Sequence, residues 1–326
     1  MELAFSPTSP GVDAADLVDL SVEAEHLGYR SVWTAEVGGP DAFSLLGAVA
    51  ARTTTVDLGV AVVPSTTRTA TLLAMSAASV SQLAGGRSVG LGLGASSRVI
   101  VERWHGAEFD PPLTRVRESV EAVRALLGGE REYHGSTTQA ASVRLTAPPA
   151  GPVPLFVGAL GPGMLRLAGA IGDGVCLNLM PADAVPDQLA EIRAGAEEAG
   201  RTLPDDFGVV ARFHVVPCDD PAEGRGFVRQ AFGPYFAQPV YNRFLAWCGY
   251  PEEAEAIADG FASGDRQAVA TALHDELVDA ITPIGPAGRI RDALEPFAEA
   301  GIGVAALSIN AAGATAVGSA LRDLAP

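Results

Sequence analysis

The sequence predicts an α/β protein that folds as a (β/α)₈ TIM barrel with a helical insertion between strands seven and eight. Eight short apolar or β-branched runs alternate with amphipathic helical stretches. Strands that alternate with helices form a parallel sheet, and eight strands close a barrel. A doubly wound open sheet is the alternative arrangement. The predicted strands are 2–6, 31–34, 56–63, 88–93, 155–157, 174–178, 207–215 and 304–309.

The first helix, predicted over residues 13–27, has the clearest periodicity. Leu17, Leu20 and Leu27 recur at helical spacing. We expect Asp13 to cap the start of this helix and Gly28 to end it. A unit of helix, glycine and strand then recurs along the chain, because glycine supplies the left-handed conformation that ends a helix before a strand. The units lie at 26–29, 83–86, 170–173 and 299–302.

Two segments interrupt the alternation of strands and helices. Residues 129–154 are rich in Gly, Ser, Thr and Pro, and we interpret them as an excursion between the fourth helix and the fifth strand. Residues 217–286 are mostly helical in pattern and rich in aromatic side chains. Long insertions after barrel strands lie over the carboxyl-terminal mouth, where the active sites of such barrels are found. We therefore expect residues 217–286 to form a lid or a substrate wall, rather than only packing on the barrel.

The composition fits a single cytoplasmic barrel domain over residues 1–326. Hydrophobic residues make up 48% of the chain and charged residues 19%, so a large core can form. The net charge of −17 argues against nucleic-acid and membrane partners and leaves a small-molecule substrate. No pair of cysteines has metal-ligand spacing, so we predict a reduced environment and no metal site. The amino terminus lacks a signal-peptide pattern, and no apolar run reaches membrane-spanning length.

Several common chemistries are excluded by what the chain lacks. It contains no lysine, which rules out Schiff-base chemistry, pyridoxal phosphate anchoring and a P-loop lysine. It contains neither a Gly-x-Ser-x-Gly elbow nor a His-Glu-x-x-His metalloprotease motif. The glycine run at 90–97 follows a predicted strand but misses the third glycine of the dinucleotide fingerprint. We expect these glycines to let a planar ring approach the backbone closely.

A second glycine-rich segment, residues 156–164, ends a predicted strand and opens a helix. Pro162 suits the first turn of a helix, and the free N–H groups there form an anion site without a lysine. An ordinary turn between strand and helix is the alternative interpretation. His105 lies close to the predicted mouth and is a candidate for contact with cofactor or substrate, and His214 is a candidate for the barrel interior.

Four motifs together resemble the luciferase-like monooxygenase family. Residues 24–33 read AEHLGYRSVW and resemble its first helix and second strand. Residues 83–94 read LAGGRSVGLGLG and resemble its leucine, glycine-glycine-arginine, strand, glycine-x-glycine signature. Residues 154–175 and the carboxyl-terminal segment 284–302 are similar to later parts of the same family. The resemblance covers nearly the whole chain.

Further segments resemble the actinobacterial branch of the family that uses the deazaflavin coenzyme F-420. They read GASS at 94–97, WHGAEF at 104–109, PLTRV at 112–116 and PVYNRF at 239–244. The resemblance implies hydride transfer between the deazaflavin and a small substrate with a C=C, C=N or carbonyl/alcohol group, with the redox chemistry supplied by the cofactor. It also implies a homodimer.

Position by position, the resemblance implies the site residues. Ala61 and Val62 would form a bulge that backs the ring and contains a non-prolyl cis peptide. Glu36 falls where family members carry an acid after strand two. The proton donor is left open among Glu36, His105, Tyr241 and water. The ring and its side chain would be lined by Gly94, Ala95, Ser96 and Ser97, and the phosphate would be held by Gly158, Ala159, Leu160, Gly161, Pro162 and Gly163.

The sequence also departs from one branch of the family. Sugar-phosphate dehydrogenases carry a catalytic glutamate near the position of Ser97 and a histidine near that of Val37, and this chain has neither. That substrate class is therefore not expected. Two other functions stay open: an FMN-dependent monooxygenase of the same fold, and a non-catalytic barrel that binds a flavin or another small molecule.

Overall fold

Eight parallel strands form the centre of the computed structural model, which describes residues 1–326. Each strand follows the preceding one around the barrel, and the seventh pairs with both the sixth and the eighth, so the sheet closes on itself. Closure confirms the TIM barrel and rules out the open sheet. The strands are β1 Glu2–Phe5, β2 Ser31–Thr34, β3 Asp57–Pro64, β4 Val89–Gly94, β5 Leu155–Gly158, β6 Gly174–Asn178, β7 Gly208–Pro217 and β8 Val304–Ile309.

Helices surround the barrel and cover its mouth. Those that follow β1 to β6 are α1 Ala14–His26, α2 Ala42–Arg52, α3 Ala70–Leu83, α4 Pro112–Leu127, α5 Pro162–Ile171 and α6 Val185–Glu198. The insertion after β7 holds α7 Pro221–Phe236, α8 Pro239–Trp247, α9 Pro251–Ser263, α10 Arg266–Ala272 and α11 Asp275–Ile281. The last two are α12 Ala287–Ala300 and α13 Gly313–Asp323. A short π-helix, Val99–Trp104, precedes α4. No helix is both long and apolar enough to span a bilayer.

The predicted strands agree with the observed ones within one or two residues at their ends. The largest shift is at β7, which runs two residues beyond the predicted end because Ile284–Gly285 pairs with its last residues. In α1, Gly28 adopts φ +93° just after the helix, as its residue type predicts. Asp13 lies at the helix start, but its side chain accepts no hydrogen bond there, so the expected side-chain cap is wrong.

Two large aromatic side chains fill the barrel interior near the amino-terminal ends of the strands. Trp33 of β2 and Phe156 of β5 pack edge to face, with ring centroids 5.2 Å apart. A Cβ atom at Gly59 would lie 2.3 Å from the Trp33 ring, and one at Gly90 would lie 2.5 Å from it. Interiors packed this densely tolerate no added methyl group, so the two glycines are needed to admit the indole. The barrel interior is therefore filled towards the amino-terminal ends of its strands, and it is open only towards their carboxyl-terminal ends.

The hairpin of the excursion 129–154 is held against α4 by a buried carboxylate. Residues Tyr133–His134 and Gln139–Ala140 form a small antiparallel hairpin. Glu118 of α4 lies beneath it, and both carboxylate oxygens accept hydrogen bonds from residues 136–138. The helical insertion α7–α11 has a hydrophobic cluster of its own that includes Phe236 and Leu277. The two insertions therefore differ: the excursion packs on the main core and adds a buried charge, whereas the helical insertion has its own apolar cluster.

Candidate active site

A cavity of about 470 Å³ opens at the carboxyl ends of the barrel strands. Its wall is mostly apolar, with one acidic and one basic side chain, and its size is that of a small-molecule site. Strands β2 to β7, the π-helix, the start of α5 and helices α7 and α8 all contribute to it. The lining residues are Ala35, Glu36, Val37, Ala61, Val62, Pro64, Gly94, Ala95, Ser96, Ser97, Val99, Ile100, Trp104, Gly158, Ala159, Leu160, Gly161, Met164, Cys176, Leu177, Asn178, Arg212, Pro234, Tyr235, Gln238, Val240 and Tyr241.

The floor of the cavity is a bulge in β3. The pairing between β3 and β4 shifts register between Val60 and Val63, and the Ala61–Val62 peptide is cis. The Val62 side chain lies between two glycines, because a Cβ would come within 2.8 Å of it at Gly94 and 3.0 Å at Gly158. The small residues therefore hold the bulge close to the neighbouring strands. Both Ala61 and Val62 face the cavity.

The glycine run on β4 has a different role from the one that we expected. Gly90 admits the Trp33 ring, and a Cβ at Gly92 would lie 2.3 Å from the Val60 carbonyl oxygen. Neither residue lines the cavity, whereas Gly94 does. The expectation that the whole run admits a ligand ring is therefore wrong for Gly90 and Gly92, because the protein's own side chain and backbone occupy that space.

Glu36 lies on the cavity wall in an ordered ionic group. Its carboxylate accepts a 2.7 Å hydrogen bond from the Arg68 guanidinium, and both side chains are about 15% exposed. Arg68 also bonds to Asp41 and lies over the Phe43 ring, 5.1 Å from its centroid. Burial would lower the pKa of Arg68, but its hydrogen bonds to the two carboxylates raise it. Glu36 is thus fixed in orientation by a cation that cannot give up its charge.

Arg212 of β7 is the basic side chain of the wall. Inward-facing residues alternate along a strand, so Val210, Arg212 and His214 lie one above another inside the barrel. Arg212 donates a 3.0 Å hydrogen bond from Nη2 to Nε2 of His214, and its buried Nε has no partner. Burial lowers the pKa of Arg212. Burial and, secondarily, the neighbouring guanidinium hold the pKa of His214 well below its usual range, so the imidazole is a neutral acceptor.

Polar groups from the next strand and the helical insertion lie beside Arg212. Asn178 of β6 is its partner in strand register, and the buried Oδ1 of Asn178 has no hydrogen-bond donor. Tyr235 and Tyr241 pack edge to face with centroids 5.9 Å apart. Burial raises the pKa of Tyr241 above its usual value, against the opposing effects of Arg212 and the Asn178 amide. The phenol therefore keeps its proton and is available as a donor.

The segment from Gly158 to Gly163 joins β5 to α5 at one end of the cavity. Residues Gly158 to Gly161 line the wall, and Pro162 is the first residue of the helix. No side chain caps this helix end. Pro162 has no N–H and the Met164 N–H donates to the Gly161 carbonyl, so the Gly161 and Gly163 N–H groups are the ones free for an anionic ligand. The wall close to them contains no carboxylate.

The structure brings together most of the residues singled out in the sequence. Twelve of them line the cavity, whereas Pro162 and Gly163 lie behind the wall in the first turn of α5. His105 follows the π-helix with an exposed side chain and is not part of the lining. Ser96 adopts φ +61°, a left-handed conformation that is rare outside glycine and is found in functional loops.

Sequence reasoning missed Arg212, Asn178 and Tyr235. Arg212 had a detectable signal, since it stands in the middle of the apolar run of β7 and in phase with His214. A charged residue on the inward face of a barrel strand is rare unless it serves a ligand. The other two had no such signal, because their position depends on how β6 and the insertion meet. No three His, Cys, Asp or Glu side chains come together as a metal site.

Relatives were found both by sequence and by structure. A Mycobacterium tuberculosis protein with the provisional name of a coenzyme F-420-dependent oxidoreductase is 29% identical, covering 100% of this chain and 97% of that protein. The 5,10-methylenetetrahydromethanopterin reductase of Archaeoglobus fulgidus is 31% identical, covering 86% and 85%. The structure of the F-420-dependent tetrahydromethanopterin reductase of Methanopyrus kandleri superposes with a TM-score of 0.81 at 21% identity, covering 99% and 97%.

The family model described as luciferase-like monooxygenase matches residues 3–303, which is nearly the whole barrel. The match includes β1 to β7, the β3 bulge and the insertion that carries Tyr235 and Tyr241. The chain belongs to the luciferase-like monooxygenase family.

Proposed function

We propose that this protein is an oxidoreductase that transfers a hydride between coenzyme F-420 and a small organic substrate with a C=C, C=N or carbonyl/alcohol group. The observation that carries the proposal is one continuous apolar cavity that runs from the β3 bulge to the uncapped start of α5. Such a cavity suits a long cofactor with a flat ring at one end and a phosphate at the other. Relatives named as F-420-dependent enzymes support the choice of cofactor.

The residues present fit that cofactor. Ala61, Val62 and Gly94 would support the ring, Ser96 and Ser97 its polar side chain, and the segment 158–163 its phosphate. When bound, the deazaflavin supplies a carbon atom that donates or accepts a hydride, and it reacts poorly with oxygen. The apolar wall would exclude water from the reacting atoms and hold the substrate against one face of the ring.

Two side chains of the wall are suited to handle the proton. Tyr241 keeps its hydroxyl proton and faces the cavity, so it would donate to the developing negative charge on the substrate. Glu36 is held by Arg68 in a fixed orientation and would accept a hydrogen bond from substrate or ring. His105 is exposed and outside the lining, so we assign it no part in this step.

Titration of the apoprotein with F-420 and, separately, with FMN tests the proposal. Trp104 lines the cavity, so binding should quench tryptophan fluorescence. We expect micromolar or tighter binding of F-420 and much weaker binding of FMN. The reverse preference would instead support an FMN-dependent monooxygenase, and oxygen uptake with reduced FMN would then follow. Tight cofactor binding without turnover of any acceptor would support a carrier or sensor.

We further propose a homodimer that works in the cytoplasm. Helix α3 leaves Leu72, Met75 and Leu83 exposed along one face, and such a strip is typical of an interface. A Leu72→Glu, Met75→Glu variant should sediment as a monomer if this face joins two copies. A wild-type protein that sediments as a monomer would contradict the proposal.

A further inference from the structure

Arg212 is a partly buried cation on the cavity wall, and the chain supplies no counter-ion to it. The sequence has 39 acidic residues, yet none forms an ion pair with this guanidinium. Its bond to protein is the one to neutral His214, and its Nε has neither solvent nor partner. Arg68, the other arginine beside the cavity, pairs with both Glu36 and Asp41. The fold therefore supplies carboxylate partners to one arginine beside the cavity, Arg68, and none to the other, Arg212.

A partly buried guanidinium that has no counter-ion and an orphaned Nε is destabilising unless a ligand supplies the missing acceptor. Arginine cannot avoid the cost by losing its proton. Its neighbours add no negative charge: Tyr241 keeps its hydroxyl proton, and Asn178 carries an amide donor beside an unpaired carbonyl oxygen. The planar guanidinium also matches a carboxylate, which it binds through two parallel hydrogen bonds. The missing counter-ion and the shape of the guanidinium therefore favour an oxygen ligand that bears negative charge at Arg212.

We infer that Arg212 determines specificity by binding a carboxylate group of the substrate, so that the enzyme acts on small, otherwise apolar carboxylic acids. This inference rests on the proposed function. The remaining wall is mostly apolar and would receive the rest of the molecule. A partly charged oxygen of the cofactor ring is the other source of the same chemistry, and the experiment must separate the two sources.

The test compares benzoate with benzamide, which has the same shape and no charge. Each is titrated into F-420-loaded protein by calorimetry, using wild type, Arg212→Met and Arg243→Met. The last variant removes the same charge from an exposed site on α8 and serves as the matched control. We expect wild type and Arg243→Met to prefer benzoate by roughly 10- to 100-fold, as is typical of a hydrogen-bonded charge pair. Arg212→Met should lose that preference.

Three outcomes would overturn the inference: equal affinity of the wild type for the two probes, a preference kept in Arg212→Met, or competition between benzoate and F-420 in the wild type. The last would identify the cofactor as the ligand of Arg212. Arg212→Lys keeps the charge and should retain part of the preference, which separates a lost contact from a misfolded variant. If F-420 fails to bind at all, the proposed function is wrong, while the two probes still test Arg212 in the apoprotein.

Discussion

The protein buries two charges in opposite ways. Glu118, 8% exposed beneath the excursion 129–154, accepts five hydrogen bonds from Ser136, Thr137 and Thr138. Arg212, inside the barrel mouth, makes one hydrogen bond and leaves Nε unpaired. The pKa of Glu118 reflects its partners: burial alone would raise it, but the hydrogen bonds lower it to about 2. Burial lowers the pKa of Arg212, as expected for an uncompensated cation.

The difference separates structural charge from functional charge. A buried ion whose hydrogen bonds are all made within the chain stabilises the native state and has nothing left to offer a ligand. A buried ion without partners weakens the fold until a ligand completes its shell. Stability and ligand binding should therefore respond in opposite senses when the two charges are removed, and each of the following changes tests that opposition.

Glu118→Gln should have the largest effect. The amide places donors against the hydroxyl and N–H donors of residues 136–138, and we expect a loss of roughly 2–3 kcal/mol in the free energy of unfolding. Denaturant unfolding measures the loss. Glu130→Gln, an exposed change just beyond the end of the same helix, is the control and should be neutral. The folded Glu118→Gln variant should bind F-420 with unchanged affinity. A loss of F-420 affinity alongside the loss of stability would contradict the separation of structural from functional charge.

The pH dependence of stability should reveal the same carboxylate. Its folded pKa of about 2 lies below the ordinary value of 4.5, so its stabilisation is complete above pH 4.5 and is lost as the pH falls towards 2. Solvent near the surface screens part of this, and we expect about 1–2 kcal/mol to disappear between pH 5 and pH 3. The measurement is the difference between wild type and Glu118→Gln in unfolding free energy at each pH. A constant difference from pH 5 to pH 3 would show that folding does not lower the pKa of Glu118.

The sequence was a good guide to the fold and to most of the cavity lining, but it identified neither of these two charges. Strand positions and barrel closure follow from local patterns, because short segments carry the alternation and the glycine placement. The β3 bulge was implied by the resemblance to the luciferase-like family. Glu118 looks like an ordinary surface residue of an amphipathic helix, and only the path of residues 136–138 buries it. Gly90 suggested a ligand contact, but the Trp33 ring occupies the space beside its Cα atom, and Trp33 lies 57 positions earlier in the chain. Side-chain partners across such distances are fixed by tertiary packing.

Arg212→Met should move stability in the other direction. Removing a partly buried cation without a counter-ion is expected to raise the free energy of unfolding of the ligand-free protein by roughly 1 kcal/mol, after the lost bond to His214 is included. Denaturant unfolding without benzoate measures the change in stability of the free protein, and unfolding with benzoate measures the stabilisation by the ligand. Benzoate should stabilise the wild type and leave the variant unchanged. A destabilised variant would show that Arg212 supports the barrel rather than a ligand.

The smallest effect should come from removing one of the hydrogen-bond donors to Glu118. Ser136→Ala removes the hydroxyl that bonds to Oε1 at 2.7 Å, while the Ser136 N–H and three donors from Thr137 and Thr138 remain. Because the residue is exposed, water replaces the hydroxyl, and we expect a loss of about 0.5–1 kcal/mol. Thr137→Ser keeps its hydroxyl and is the control. A loss above about 2 kcal/mol would mean that the hydrogen bonds to Glu118 are cooperative, so that removing one donor weakens the others. Glu118 would then depend on each partner as strongly as Arg212 depends on the single ligand proposed for it.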